Sequence, residues 1–135
     1  MNEYSLAKVQ ILICFGLFVL GASAQQFYNS NGSLKGRVDN SRIYDARGRF
    51  RGRVDGTQLY NGSGSFVGRI DNGRVYDGRG RFIGRIDGGR VYDYRGGLLG
   101  RIDGDRVYNA RGSLIGRADG IDTTMLALIY FFPLW

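Results

Sequence analysis

The sequence predicts an all-β fold, a closed propeller-like ring of short antiparallel β-hairpins built from sixteen-residue repeats. Three observations carry this prediction. Gly36, Gly52, Gly68, Gly84, Gly100 and Gly116 each precede an Arg, and Tyr28, Tyr44, Tyr60, Tyr76, Tyr92 and Tyr108 keep the same beat. A fixed period without insertions marks a repeat architecture. Within the repeats, turn signals recur so often that no window of about 10–12 residues is free for a helix. Finally, the repeats begin halfway, at Phe27 to Lys35, and stop halfway, at Gly116 to Gly120. Two such halves can pair and complete a unit beside the five full repeats, and closure removes the exposed sheet edges.

At the start of the chain, Val9 to Leu20 is apolar except for Gln10 and Gly16, and Ala22-Ser23-Ala24 comes next. That pattern reads as a secretory signal peptide over 1–24, cleaved near Ala24. The run is shorter than the roughly 20 residues a spanning helix needs, so no transmembrane span is expected in the mature chain. Cys14, the sole cysteine, lies inside it. The mature chain reads as one β-repeat domain over 25–122, with full repeats at 36–115 and flanking half-repeats, and then an apolar tail over 123–135.

One repeat, Gly68 to Ile83, shows the local logic. In Asp71-Asn72-Gly73-Arg74 the central Asn-Gly suits a two-residue hairpin turn with both residues at positive φ. In Asp77-Gly78-Arg79-Gly80 an Asp first and a Gly fourth suit a type I turn ending in a left-handed residue. Val, Ile, Tyr and Phe between the turns favour strands. Side chains alternate along a strand, so a coherent face requires the two loops to share parity. A two-residue loop with a four-residue loop meets that condition. It places Val75 opposite Ile70 and Phe82, and gathers Phe82, Gly84 and Ile86 on one apolar face. The other face then carries Arg69, Asp71, Arg74, Tyr76, Arg81 and Ile83, with Tyr76 opposite Arg69 and Arg81 and an Asp71–Arg74 ion pair. Gly52, Gly68, Gly84 and Gly100 fall on the apolar face, where a strand glycine marks close backbone approach.

A β-solenoid with one coil per rung is the alternative. It would stack Arg53, Arg69, Arg85 and Arg101 in one ladder about 4.8 Å apart, and like charges in register are unfavourable.

The pattern Tyr-Asp-x-x-Gly, then Gly-Arg-Ile-Asp, a short turn and Val-Tyr-Asp resembles the secreted bacterial beta-flower proteins of the five-fold type, over Gln26 to about Asp119. The aromatic-rich C-terminus is similar as well. The resemblance implies a small closed ring of hairpins, secreted or in the periplasm or cell envelope of a Gram-negative bacterium. It implies no activity. Tyr44-Asp45-Ala46-Arg47-Gly48-Arg49-Phe50 also resembles a YD-repeat of Rhs-type toxin shells, whose repeats are longer and whose chains are far larger.

The residue inventory argues against catalysis. Histidine is absent, which removes the usual general base. The aspartates recur at 71 and 77, 87 and 93, 103 and 119, nearly always at turn starts, where Asp bonds its own backbone. Gly78-Arg79-Gly80 has no helix after it, so no helix N-terminus is offered to a phosphate. Arg beside each Asp argues against calcium, which wants converging carboxylates. No enzyme activity, metal or cofactor is expected. Asn31-Gly32-Ser33 and Asn61-Gly62-Ser63 match the glycosylation sequon but sit in turn phases.

Net charge is +7, with 17 Arg against two Lys. Interleaved Asp and the leader argue against nucleic acid. The expected partner is an anionic glycan or other envelope polymer, met by Tyr44, Tyr60, Tyr76, Tyr92 and Tyr108 with Arg53, Arg69, Arg85 and Arg101. Planar aromatics suit sugar faces, and guanidinium forks suit carboxylates. The alternative is a structural protein that self-assembles through its tail. Met125 to Trp135 can fold back to plug the ring, or stay exposed as a docking segment. An outer-membrane barrel is excluded because repeat strands fall short of the ~9–11 residues a spanning strand needs.

Overall fold

The computed structural model describes residues 25–135, so the leader read at 1–24, with Cys14, lies outside the described residues. The strands run β1 (Gln25–Asn29), β2 (Leu34–Asp39), β3 (Arg42–Asp45), β4 (Phe50–Asp55), β5 (Gln58–Asn61) and β6 (Phe66–Asp71). They continue with β7 (Arg74–Asp77), β8 (Phe82–Asp87), β9 (Arg90–Asp93), β10 (Leu98–Asp103), β11 (Arg106–Asn109) and β12 (Leu114–Ala118). Each strand pairs antiparallel with its chain neighbours, and β12 pairs back on β1 through Phe27↔Ala118. The result is a closed barrel of six hairpins, five from full repeats and one from the two end halves. Closure between the ends rules out the solenoid.

The short turns obey their residues. Asn72 and Gly73 take φ of 52° and 79°, and Gly88 and Gly89 take 57° and 87°. In the turns at Gly56 and Gly104 only the first central residue has positive φ, as in a type II′ turn. Thr57 and Asp105 at the second position are thereby spared a conformation that disfavours side chains.

The long loop differs from the expected four-residue one. It has three residues: the Asp77 amide donates to the Arg81 carbonyl and the Gly80 amide to the Asp77 carbonyl, both at 2.9 Å. An odd loop should flip the faces of alternate repeats. A β-bulge restores them: Tyr76 lies opposite Phe82, but Val75 lies opposite Gly84, with Ile83 the extra residue. One extra residue in a strand cancels one residue missing from a loop. The same shift recurs at Leu98/Gly100.

Three expectations are corrected by this register. Phe82 leaves the apolar face and stands outside against Tyr76, while Ile83 turns in against the core. Arg81 does not reach Tyr76; its Nε donates to Asp77 Oδ2 at 3.0 Å. Asp71 does lie opposite Arg74 in the strand register, but its ion pair is with Arg69, at 3.6 Å.

The loop carboxylates have a second task. Asp45 Oδ1 and Asp77 Oδ1 each accept two backbone amides of the loop. The donated amides of Arg49 and Arg81 are the main cause that holds both carboxyls below their ordinary value. Asn61 and Asn109 make the same backbone bonds in their repeats, so the position needs an acceptor oxygen more than a charge.

The barrel is filled by the chain's own tail. Asp122 caps a helix, α1 (Thr123–Phe131), by accepting the Met125 amide at 2.8 Å. Met125, Leu126, Ala127 and Leu128 are buried, with Phe132. They meet Ile43, Leu59, Val75, Val91 and Val107 from the inner face of the short strands, all buried. Among the described residues no helix is long and apolar enough to cross a membrane.

The end of the helix and the residues after it spread their large side chains over the glycine column. A Cβ on Gly84 would lie 2.6 Å from the Phe132 ring, and one on Gly100 2.6 Å from Phe131. Gly52 faces Trp135 at 2.7 Å, Gly68 faces Leu134 at 3.4 Å, and Gly116 faces the Tyr130 ring. Gly36 faces Phe27, which belongs to β1. The sixteen-residue glycine beat is therefore a set of seats, five for the tail and one for the first strand.

Tyr130 yields a pH prediction. Its hydroxyl donates to the Tyr28 carbonyl, and burial pushes the phenol from the ordinary 10.0 up to about 12. The folded state thus holds a proton that the unfolded state releases earlier. Its contribution is full below pH 10.0 and is lost as pH rises through about 12. Urea titrations across that window should show a steeper alkaline fall in stability for the parent than for Tyr130→Phe. Equal slopes would refute the assignment.

Candidate functional site

The outer wall is where the sequence placed its candidate residues, and the strand register decides how they meet. Each Tyr of a short strand lies directly opposite the Arg after a column glycine. The guanidinium carbon stands over the ring centroid at 4.1 Å for Arg53 on Tyr60, 3.9 Å for Arg69 on Tyr76, 4.0 Å for Arg85 on Tyr92 and 4.2 Å for Arg101 on Tyr108. Tyr44 is covered by Arg37 at 4.0 Å. The sixth pair is Arg117 on Tyr28 at 4.1 Å, made where the ends of the chain meet. Arg37, Arg117 and Tyr28 were not among the candidates, although the repeat phase marks them. Each contact of this type contributes about 0.5–1 kcal/mol when exposed.

The stacked arginines have a further partner. Arg53 reaches Asp55 at 3.3 Å, Arg85 reaches Asp87 at 3.2 Å and Arg101 reaches Asp103 at 3.8 Å. Such exposed pairs contribute about 0–1 kcal/mol each. Three of the rings also meet a Phe of the following strand: Phe66 on Tyr60 and Phe82 on Tyr76 edge-on, and Phe50 tilted on Tyr44. Tyr, Arg and Asp thus form an internal belt around the ring. Much of its charge is neutralised by its own aspartates, and its ring faces are partly covered.

A second arginine row escapes the sequence reading. Arg42, Arg74, Arg90 and Arg106 lie directly opposite Arg53, Arg85, Arg101 and Arg117. Like charges across a strand pair are unfavourable. None of the four makes an ion pair among the described residues, and all four are exposed. The two remaining positions of the ring are Gln58, opposite Arg69, and Gln26, opposite Arg37. Four of the interstrand grooves therefore hold two guanidinium groups and one aspartate. The bulge creates this row, because the same three-residue loop without it would have set Arg74 opposite Gly84.

Among the described residues no group of three or more His, Cys, Asp or Glu side chains could hold a metal ion. The wall can bind anions and stack on flat or weakly polar faces. A family model described as 5-fold beta-flower protein matches residues 24–134. No curated protein and no solved structure matches the chain.

Proposed function

Because the chain belongs to the 5-fold beta-flower protein family, we propose that its closed repeat ring is a non-enzymatic binding or scaffold module of the bacterial envelope. It acts after secretion and cleavage near Ala24, and its partner is an anionic glycan or other envelope polymer. The observation that carries this reading is the row of paired arginines on the outer wall. A fold that sets like charges opposite one another, at sites where Gln58 serves as well, holds a surface shaped for a polyanion. The belt residues Tyr44, Tyr60, Tyr76, Tyr92 and Tyr108, with Arg53, Arg69, Arg85 and Arg101, keep this wall rigid and lend it partly exposed guanidinium edges.

Self-assembly through the tail is less well supported. Met125 to Leu128 are buried inside the barrel, so a tail that docked elsewhere would leave its own ring without a core.

Chromatography of the mature chain on immobilised polygalacturonate tests the reading. Retention at low salt and elution on raising salt are expected, because exposed charge pairs are screened within about 10 Å at 0.1 M. The variant carrying Gln at 42, 74, 90 and 106 copies the native Gln58. It should keep the parent's melting temperature and lose retention. A parent that flows through at low salt, or a variant retained like the parent, would sink the proposal.

A further inference from the structure

One loop departs from the repeat. The second position of the long loop holds Ser30, Ala46, Gly62, Gly78 and Ala110, and in the remaining loop Tyr94. Tyr94 is 59% exposed, the most exposed large side chain among the apolar and aromatic residues of the described chain. No packing accounts for it, since five sister loops close with small residues. Three positions on, Gly97 replaces the Arg49 and Arg81 of other loops. Those arginines pair with their loop carboxylate at 2.9 and 3.0 Å. Asp93 has no such partner among the described residues. Its Oδ1 accepts the amides of Arg95 and Gly97, and its Oδ2 accepts no hydrogen bond there.

Tyr94 and the Asp93 carboxylate line one groove of about 520 Å³, with Arg74, Arg85, Phe82 and Arg95 among others. Arg74 makes no ion pair among the described residues and stands opposite Arg85 on one neighbouring strand and Asp71 on the other. Arg95 Nε donates to the Tyr94 hydroxyl at 3.0 Å, which holds the two side chains together. The groove thus collects three guanidinium groups, the exposed rings of Phe82 and of Tyr94, the latter with Arg95 over one face at 5.4 Å, and one carboxylate with a free oxygen.

We propose that this groove is a discrete subsite for one carboxylate-bearing sugar residue, a uronic acid. The Tyr94 and Phe82 rings take the apolar face of the pyranose, the arginines take its carboxylate in fork geometry, and Asp93 accepts a ring hydroxyl. This deepens the preceding reading and rests on it, because it names one groove where the wall alone would offer several equal ones.

Calorimetry with trigalacturonate, and with galactotriose as the neutral probe, separates the two ideas. The mature chain should bind trigalacturonate one to one and galactotriose at least tenfold more weakly. Tyr94→Ala, which copies Ala46, and Arg74→Gln, which copies Gln58, should each weaken binding at least tenfold with unchanged melting temperature. Arg106→Gln, the same position in another groove, should change it less than twofold. If all three variants weaken binding alike, or several molecules bind per chain, the subsite is wrong and the wall reading stands. Equal binding of the neutral probe overturns the assignment of a uronic acid. If the parent binds neither trigalacturonate nor the polygalacturonate column, both readings fall together.

Discussion

A chain lacking residues 123–135 is expected to lose cooperative unfolding altogether. The shortened chain keeps every strand and every turn, so on local propensity alone it should survive. Its core does not. Leu126 and Leu128 are fully buried, and Met125 and Phe132 nearly so. Each such side chain contributes about 1.5–3 kcal/mol on burial, or roughly 6–12 kcal/mol for the four. That is the size of a domain's entire stability, about 5–15 kcal/mol. Without the helix, Leu59, Val75, Val91 and Val107 would face a water-filled lumen beside bare glycines. Thermal melts by circular dichroism and light scattering on both chains provide the check. The parent should be monomeric with a sharp transition. The shortened chain should show a broad, non-cooperative melt or aggregate. A folded monomer with a sharp transition would remove the tail from the core.

Gly100→Ala is the second large effect, and it places one methyl group where there is no room. The added Cβ would overlap the Tyr108 carbonyl oxygen across the strand and approach the Phe131 ring to 2.6 Å. The ring can shift slightly, but the carbonyl belongs to a ladder that closes on itself and has nowhere to go. Overpacking costs typically about 1–3 kcal/mol, occasionally more, and the backbone clash puts this site at the upper end. At roughly 4 °C or more per kcal/mol for a domain of this size, the melting temperature should fall on the order of 12 °C. Gly78→Ala is the matched control. Its Cβ would meet nothing closer than the Phe66 carbonyl at 3.2 Å, and Ala46 and Ala110 already occupy that position. It should stay within about 0.5 kcal/mol of the parent. Similar losses for the two substitutions would mean that the glycine column serves something other than close packing.

Both predictions turn on a pairing between two parts of the chain that the repeat alone does not display. The glycine beat reads from the sequence as close approach, and so does the apolar tail as a candidate plug. The one-to-one seating of Tyr130, Phe131, Phe132, Leu134 and Trp135 on successive glycines depends on the helix direction and on the ring size, and neither is local. The helix escapes notice for a related reason: turn signals exclude helices inside the repeats, but they stop at Asp122. The Asp cap and the uninterrupted run after it carry the signal.

The candidate site divides along the same line. The Tyr–Arg pairs come from the two-residue turn, which sets Arg69 opposite Tyr76 whatever happens elsewhere. The arginine row and the outward Phe82 depend on the other side of each strand, where an odd loop is balanced by a bulge. Two parity solutions, an even loop and an odd loop with a bulge, preserve the same inner Gly and Val. A sequence argument that demands only a coherent inner face does not separate them.

By itself, then, the sequence determined the repeat, its two-residue turn and the place of the longer one, the antiparallel pairing at the short turn and the means of closing the ring. These rest on backbone preferences of Asn, Gly and Asp and on period-two alternation, which act over a few residues. The tertiary structure alone decided which side chains fill the lumen and which arginines confront one another. A shift of one residue in register moves a side chain to the opposite face. The choice between registers is made by the whole barrel closing around its helix, where Phe131 and Phe132 sit on Gly100 and Gly84 and Phe82 stands outside against Tyr76.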